Sequence, residues 1–266
     1  MDTEAPAPPL ATRLRHGTAM AMLKLGRGIA DLVLPPGCIA CRAAVSDPGA
    51  LCAACWRRLE FITPPLCERL GTPLPYDSGS RISPGALAQP PAYSRARAAV
   101  TFGEVARDLV HALKYADRIE LAAPLGGLMA RAGAELLTEA DALVPVPLHP
   151  LRLWRRRFNQ SAALAMAISR SANVPVRTGW LERRRATIPQ VGLDRAARAA
   201  NVAGAFVVPE EMVGEVRDGR IVVVDDVLTT GATLDACVKA LSRAGAAEVD
   251  VLVFARVVDD ASTPIS

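Results

Sequence analysis

The stretch Ile221-Val-Val-Val-Asp-Asp-Val-Leu-Thr-Thr-Gly-Ala-Thr233 sets four apolar, β-branched residues ahead of two adjacent acids and a turn of small and hydroxyl side chains. The apolar run predicts a buried strand, with Asp225 and Asp226 at its C-terminal end, where open α/β sheets bind ligands. Thr229, Thr230, Gly231, Ala232 and Thr233 then lead into a helix. Small residues there let backbone N–H groups converge on an anion, and the helix N-terminus adds partial positive charge. No Gly-Lys-Ser/Thr follows, so this is not a Walker loop. Acceptors beside phosphate donors suit a phosphorylated sugar, with vicinal hydroxyls on one side and phosphate on the other. A purely structural alternative ends a strand with the acids and caps the helix with Thr230 or Thr233. Repulsion between adjacent acids at a buried strand end weighs against it.

Cys38-Ile-Ala-Cys41 and Cys52-Ala-Ala-Cys55 form C-x2-C-x10-C-x2-C, with Asp47-Pro48-Gly49 as a turn between the pairs. Two such knuckles place four thiolates around one tetrahedral cation, usually zinc. Two disulfides or four unrelated core thiols are the other readings; the lack of an export signal disfavours the first, and the paired spacing the second. Four protein ligands leave no open position, so the metal's role is structural, supplying on the order of 10 kcal/mol of folding energy. Cys67 has no visible partner, and Cys237 reads as a small buried side chain of a helix.

Two basic stretches could serve the same ligand. Val144-Pro-Val-Pro-Leu-His149 is a constrained turn followed by Arg152, Arg155, Arg156, Arg157 and Phe158-Asn159-Gln160. It reads either as a solvated basic turn or as a grip on a multiply charged anion. His149 is a weak candidate base. Arg183-Arg184-Arg185 runs through Gln190, Arg195 and Arg198 to Asn201 as a long polar insertion, either a lid or a plain surface loop.

The elements that must hold these groups alternate. Strands are expected at Ala98–Phe102, Ala142–Pro147, Ile221–Asp225 and Val249–Ala255, and helices at Val105–Tyr115, Leu121–Leu137, Gln160–Ser171 and Ala232–Ala244. That order implies an α/β fold, a mostly parallel sheet with helices on both faces. Residues 1–9 read as a disordered leader. Residues 10–62 hold a helix over 10–33, stopped by Pro35-Pro36, and the zinc-binding segment. Pro- and Gly-rich residues 63–92 read as a linker, 93–258 as the α/β domain and 259–266 as a tail. No internal repeat of useful length is visible.

The 266 residues are 51% hydrophobic and 22% charged, which excludes a disordered chain. A net charge of +4 neither requires nor excludes a nucleic-acid partner. Lysine is scarce: Lys24, Lys114 and Lys239 stand among 31 basic residues. No stretch reaches the roughly 18 apolar residues of a membrane span. Thr18–Leu23 is too short for an export signal, and a cytoplasmic address is expected.

The acid pair and its turn resemble the phosphoribosyl-pyrophosphate (PRPP) signature of type I phosphoribosyltransferases. With the Cys pairs, Pro35-Pro36-Gly37-Cys38, Phe158-Asn159-Gln160-Ser161 and Gln190-x-x-Leu193, residues 30–258 resemble the competence protein ComF family. The resemblance implies a type I phosphoribosyltransferase-like sheet behind an N-terminal zinc-ribbon-like segment. It implies that Asp225 and Asp226 contact the ribose hydroxyls, directly or through magnesium-bound water, and that residues 229–233 hold the 5′-phosphate. Arg152, Arg155, Arg156 and Arg157 would grip pyrophosphate, while Gln190 and Arg195 would belong to a lid. Lys114-Tyr115 also fits the family's pattern. Relatives carry a further C-x2-C followed by Gly-x-Pro, and another Cys pair after it. Here Leu70 stands at the second Cys place and Ile82–Gly85 where the later pair would fall, so no second metal site is expected.

Two functions follow. One is phosphoribosyl transfer from PRPP with magnesium to an unidentified acceptor; ammonia from an attached glutaminase is not expected, because no Cys lies near Met1-Asp2. The other is a non-catalytic PRPP- or nucleotide-binding module serving DNA uptake in competence. There Trp56-Arg57-Arg58 and Trp154-Arg155-Arg156-Arg157-Phe158 would stack on single-stranded DNA.

Overall fold

A computed structural model describes residues 36–74, 81–115, 118–185 and 195–258 of the chain. Two compact units divide it, residues 1–52 and 53–266.

In the first unit, backbone hydrogen bonds build a metal-binding knuckle. Cys38 N–H donates to Ala43 O at 2.7 Å, Val45 N–H to Pro36 O at 2.8 Å and Ile39 N–H to Ala50 O at 3.0 Å. The Asp47-Pro48-Gly49 turn is closed by Ala50 N–H on Asp47 O at 3.2 Å, with Gly49 at φ 82°.

In the second unit, α1 (Ala53–Arg57) and α2 (Pro84–Ala88) are short helices that precede the sheet. Strands β1 (Ala96–Thr101), β2 (Ala142–Pro145), β5 (Arg220–Leu228) and β6 (Glu248–Arg256) form a parallel sheet in the order β1-β6-β5-β2. Two further short strands, β3 (Glu182–Arg183) and β4 (Phe206–Val207), pair antiparallel. Between them the chain winds α3 (Glu104–Tyr115), α4 (Ala122–Ala132), α5 (Ala134–Glu139), α6 (Pro150–Arg156), α7 (Gln160–Ala172), α8 (Arg195–Val202), α9 (Val213–Val216) and α10 (Ala232–Arg243). The expected α/β architecture is present.

The sheet is central because its strands have no polar side. Ile221, Val222, Val223 and Val224 of β5 are all buried, as are Val251, Leu252, Val253 and Phe254 of β6, so both faces need cover. Leu234, Cys237, Val238 and Leu241 of α10 pack with Ile221, Val223, Val251 and Val253 on one face. Helices α4 and α7, with Leu125, Met129, Leu164 and Ile168 buried, cover the other. Each fully buried Leu or Ile contributes about 1.5–3 kcal/mol.

Local expectations needed correction in four places. The helix expected over Leu121–Leu137 breaks into a 3-10 turn, α4 and α5. Gly133 sits at the break, where an added Cβ would lie 2.7 Å from Leu252 Cδ1. The basic stretch after His149 contains a helix, α6, whose N-cap is His149. The β5 strand runs past Asp225 to Leu228, which places both acids inside it.

The fourth correction concerns repetition. The hydrogen bonds of the first knuckle recur around Cys67: Cys67 N–H donates to Thr72 O at 2.8 Å, Leu74 N–H to Pro65 O at 2.8 Å and Glu68 N–H to Arg81 O at 2.7 Å. Arg42 at φ 68° and Gly71 at φ 66° occupy the same place in the two turns. A structural repeat is therefore present, offset by 29 residues through the first turn and by 31 after it. It escaped the sequence because backbone geometry, rather than side-chain identity, carries it. No helix among the described residues is long and apolar enough to cross a membrane.

Candidate functional site

The Sγ atoms of Cys38, Cys41, Cys52 and Cys55 all lie within 4.8 Å of one another. Cys41 Sγ and Cys52 Sγ are 3.6 Å apart, close to the roughly 3.8 Å edge of a tetrahedron with Zn–S bonds of about 2.3 Å. Cys52 N–H donates to Cys38 Sγ at 3.3 Å. Burial pushes the Cys38 thiol up, but N–H donors from Cys52, Cys41 and Ala40 outweigh it and bring it down to about 6. Donor type, number and spacing fit a structural zinc with no open position.

The second knuckle has the same backbone and a different donor set. Ser83 N–H donates to Cys67 Sγ at 3.2 Å, as Cys52 N–H does to Cys38 Sγ. The places of Cys38, Cys41, Cys52 and Cys55 are taken by Cys67, Leu70, Ser83 and Ala86. One thiol among apolar and hydroxyl neighbours does not fit zinc. Burial pushes the Cys67 thiol up, while Ser83 and the Leu70 N–H outweigh it and hold it below the ordinary thiol value.

The acid pair has a more elaborate setting. Asn159, the N-cap of α7, accepts from Ser161 N–H at 3.0 Å, and its Nδ2 donates to Val146 O at 3.0 Å. That cap pins the first turn of α7 to the chain leaving β2. Ser161 Oγ then donates to Asp225 Oδ1 at 2.7 Å, and Asp226 N–H donates to the same oxygen at 2.9 Å. From α3, Lys114 Nζ reaches Asp226 Oδ1 at 2.9 Å. Asp226 is 3% exposed, and its Oδ2 has no hydrogen-bond partner among the described residues. Burial raises Asp225 to about 7; the charge of Asp226 adds to this, while Lys114 and Ser161 oppose it.

Beyond Leu228 the chain turns through Thr229 and Thr230 to Gly231, the N-cap of α10 at φ 83°. Gly231 supplies no side-chain cap, so neither Thr230 nor Thr233 is the N-cap of this helix. Thr229 is exposed, and Thr230, Gly231, Ala232 and Thr233 are half-buried. An exposed turn at a helix N-terminus has the donors an anion requires.

Arg156 donates to Tyr115 Oη at 3.0 Å and to Gln160 Oε1 at 3.3 Å, which ties α6 to both α3 and α7. Burial lowers Arg152, and the Arg156 charge lowers it further. Arg157 is exposed at φ 62°, just past α6. His149 Nδ1 accepts from Leu151 N–H at 3.3 Å, so this side chain caps a helix. Gln190 and the side chains of Arg155 and Arg195 lie outside the described residues, as does the segment expected to form a lid.

Three residues acquire a setting that the sequence did not provide. Lys114 and Ser161 were visible only as parts of short motifs. Arg183 is 8% exposed on β3, with its guanidinium 5.2 Å from the Phe206 ring centroid. Burial lowers Arg183; the charge of Arg152 adds to this, while Asp225 opposes it. Its place within a basic run was a signal for charge, but not for burial.

Comparisons with known proteins agree with this division of labour. The double zinc ribbon domain family matches residues 29–86, and the phosphoribosyl transferase domain family matches residues 159–264. The chain is 28% identical to competence protein F of Haemophilus influenzae, over 82% of this chain and 96% of that protein. It is 32% identical to DNA utilization protein YhgH of Escherichia coli K12, over 85% of this chain and 99% of that protein. A solved glutamine PRPP amidotransferase from B. subtilis, complexed with ADP and GMP, aligns at 25% identity and a TM-score of 0.34, covering 56% of this chain and 27% of that one. With its two domain types in this order and relatives matched along nearly their whole length, the chain belongs to the competence protein F/YhgH family.

Proposed function

We propose that the chain binds PRPP and transfers its phosphoribosyl group to an acceptor, releasing pyrophosphate. The observation that carries this reading is Asp226: a buried carboxylate with one oxygen unpartnered among the described residues, in the strand that runs into the Gly231 turn. A ribose needs acceptors for two vicinal hydroxyls and its phosphate needs donors, and one strand end and turn carry both.

In this reading Asp225 and Asp226 accept from the hydroxyls, directly or through magnesium-bound water. Thr229, Thr230, Gly231, Ala232 and Thr233 hold the 5′-phosphate. Arg152 and Arg156, with Arg155 and Arg157 of the same segment, stabilise charge developing on pyrophosphate as the C1–O bond breaks and the acceptor bond forms with inversion. Magnesium carried with PRPP supplies neutralisation of that leaving group. Gln190 and Arg195 belong to the segment that would shield C1 from water.

A second reading, a PRPP- and single-stranded-DNA-binding module without catalysis, is favoured by Trp154. This side chain is 82% exposed on α6, the helix that carries Arg152 and Arg156. Exposed aromatics beside arginines stack bases and neutralise backbone phosphates, and the relatives' names concern competence and DNA utilization.

The deciding experiment measures PRPP binding by calorimetry, and pyrophosphate release over a panel of bases and amines with magnesium. Release by the native chain, lost in Asp225→Asn/Asp226→Asn, supports transfer. PRPP binding without release on any acceptor supports the module, provided single-strand affinity falls steeply with salt and on replacing Arg156. No PRPP binding overturns both.

A further inference from the structure

Lys114 belongs to neither the sheet nor the phosphate turn, yet it makes the ion pair with Asp226. It is near the C-terminal end of α3, with its side chain 23% exposed, and its ammonium is 2.9 Å from Asp226 Oδ1. Burial works against that charge, but Asp226 and Asp225 more than offset it and hold the amine above the ordinary lysine value. The next residue, Tyr115, accepts from Arg156, which also donates to Gln160. Gln160 is followed by Ser161, which donates to Asp225. Polar side chains at adjacent positions of α3, α7 and β5 are therefore tied to one another, with Arg156 of α6 joining α3 to α7.

We propose that Lys114 is a built-in cation that keeps a divalent metal off Asp226 until a phosphorylated ligand draws its ammonium away. The proposal rests on the PRPP reading of the site. An ammonium and a divalent ion on the same buried carboxylate repel each other strongly, because little solvent screens them. PRPP changes the balance: its phosphates bring further oxygens for the metal and new anionic partners for the lysine. The amine is a compact charge on a flexible four-carbon stem, so it can change partner without movement of α3. Metal and phosphosugar then bind together, each strengthening the other by the same factor.

Manganese alone, titrated by calorimetry into the full chain without PRPP, tests this directly. Lys114→Gln should bind manganese roughly tenfold or more tighter than the native chain, while Lys114→Arg should behave as native. The coupling between manganese and PRPP should shrink in Lys114→Gln by the same factor. Should Lys114→Gln fail to melt cooperatively, the native chain still decides the matter. With three lysines, its 13C-labelled lysine spectrum should show the Lys114 resonance moving with PRPP plus magnesium and staying fixed with magnesium alone. Equal manganese affinities in native and Lys114→Gln chains, or a Lys114 resonance that moves with metal alone, overturn the latch while PRPP binding stands. Failure of PRPP to bind the native chain overturns the reading of the site, and the latch with it.

Discussion

Ser161 Oγ donates to Asp225 Oδ1 across 2.7 Å, joining the first turn of α7 to a strand 64 positions further along the chain. Ser161 is 1% exposed, so this bond is protected from water. It favours the charged form of Asp225 against burial and the neighbouring Asp226, the two influences that push the acid up. The Asn159 cap that places Ser161 is thus part of the machinery of the acid pair.

Replacing Ser161 by Ala should leave Asp226 N–H as the donor to that oxygen. The expected loss is about 1–2 kcal/mol of stability, measured by urea denaturation, together with weaker PRPP binding by calorimetry. Ser161→Thr, which keeps the hydroxyl, should recover part of both. Unchanged PRPP affinity in Ser161→Ala would separate the serine from the ligand site.

The pH dependence of stability has a definite sign. Asp225 titrates at about 7 when folded and near 3.8 otherwise, so across that interval the folded chain holds a proton that the unfolded chain has released. Stability contributed by this group is present below the lower value and is lost as pH rises through about 7. Asp225→Asn should flatten that decline and melt higher than the native chain on the alkaline side. Melting curves recorded across the interval check this, and an identical slope in the variant would assign the titration elsewhere.

Gly231 is constrained by backbone conformation and not by space. At φ +83° an added Cβ would meet Leu228 Cδ1 at an unstrained 3.6 Å. Gly231→Ala should therefore cost about 1–2 kcal/mol through the left-handed conformation alone. If the turn relaxes to relieve that cost, its N–H groups lose their common aim, and PRPP binding should weaken more than stability does. Paired melting and calorimetry distinguish the two effects.

The zinc assignments can be tested in both directions. Metal analysis should find one zinc per chain, and chelation should expose the amides of residues 36–55 to hydrogen exchange ahead of the sheet. Leu70→Cys/Ser83→Cys/Ala86→Cys restores the missing thiols on a backbone that already repeats the first knuckle. This triple variant should bind a second zinc. A metal ratio that stays at one would mean that the second knuckle's likeness to the first does not extend to its ligand positions.

Sequence alone determined what depends on neighbours along the chain. The β-branched run predicted a buried strand, the acids and small turn after it predicted a ligand end, and the paired Cys spacing predicted a closed metal centre, because each is set by a few consecutive residues. Alternation of strand and helix patterns was enough for the parallel sheet. Tertiary structure alone decided which distant groups meet. Lys114 is 112 positions before Asp226 and Ser161 is 64 before Asp225, and no local rule pairs residues across such gaps. The break at Gly133 has Leu252 lying against it, and the second knuckle holds its shape through backbone hydrogen bonds with a thiol at one of its four corresponding places. Spacing encodes the groups that do chemistry; the charge state of those groups is set by the partners that folding delivers.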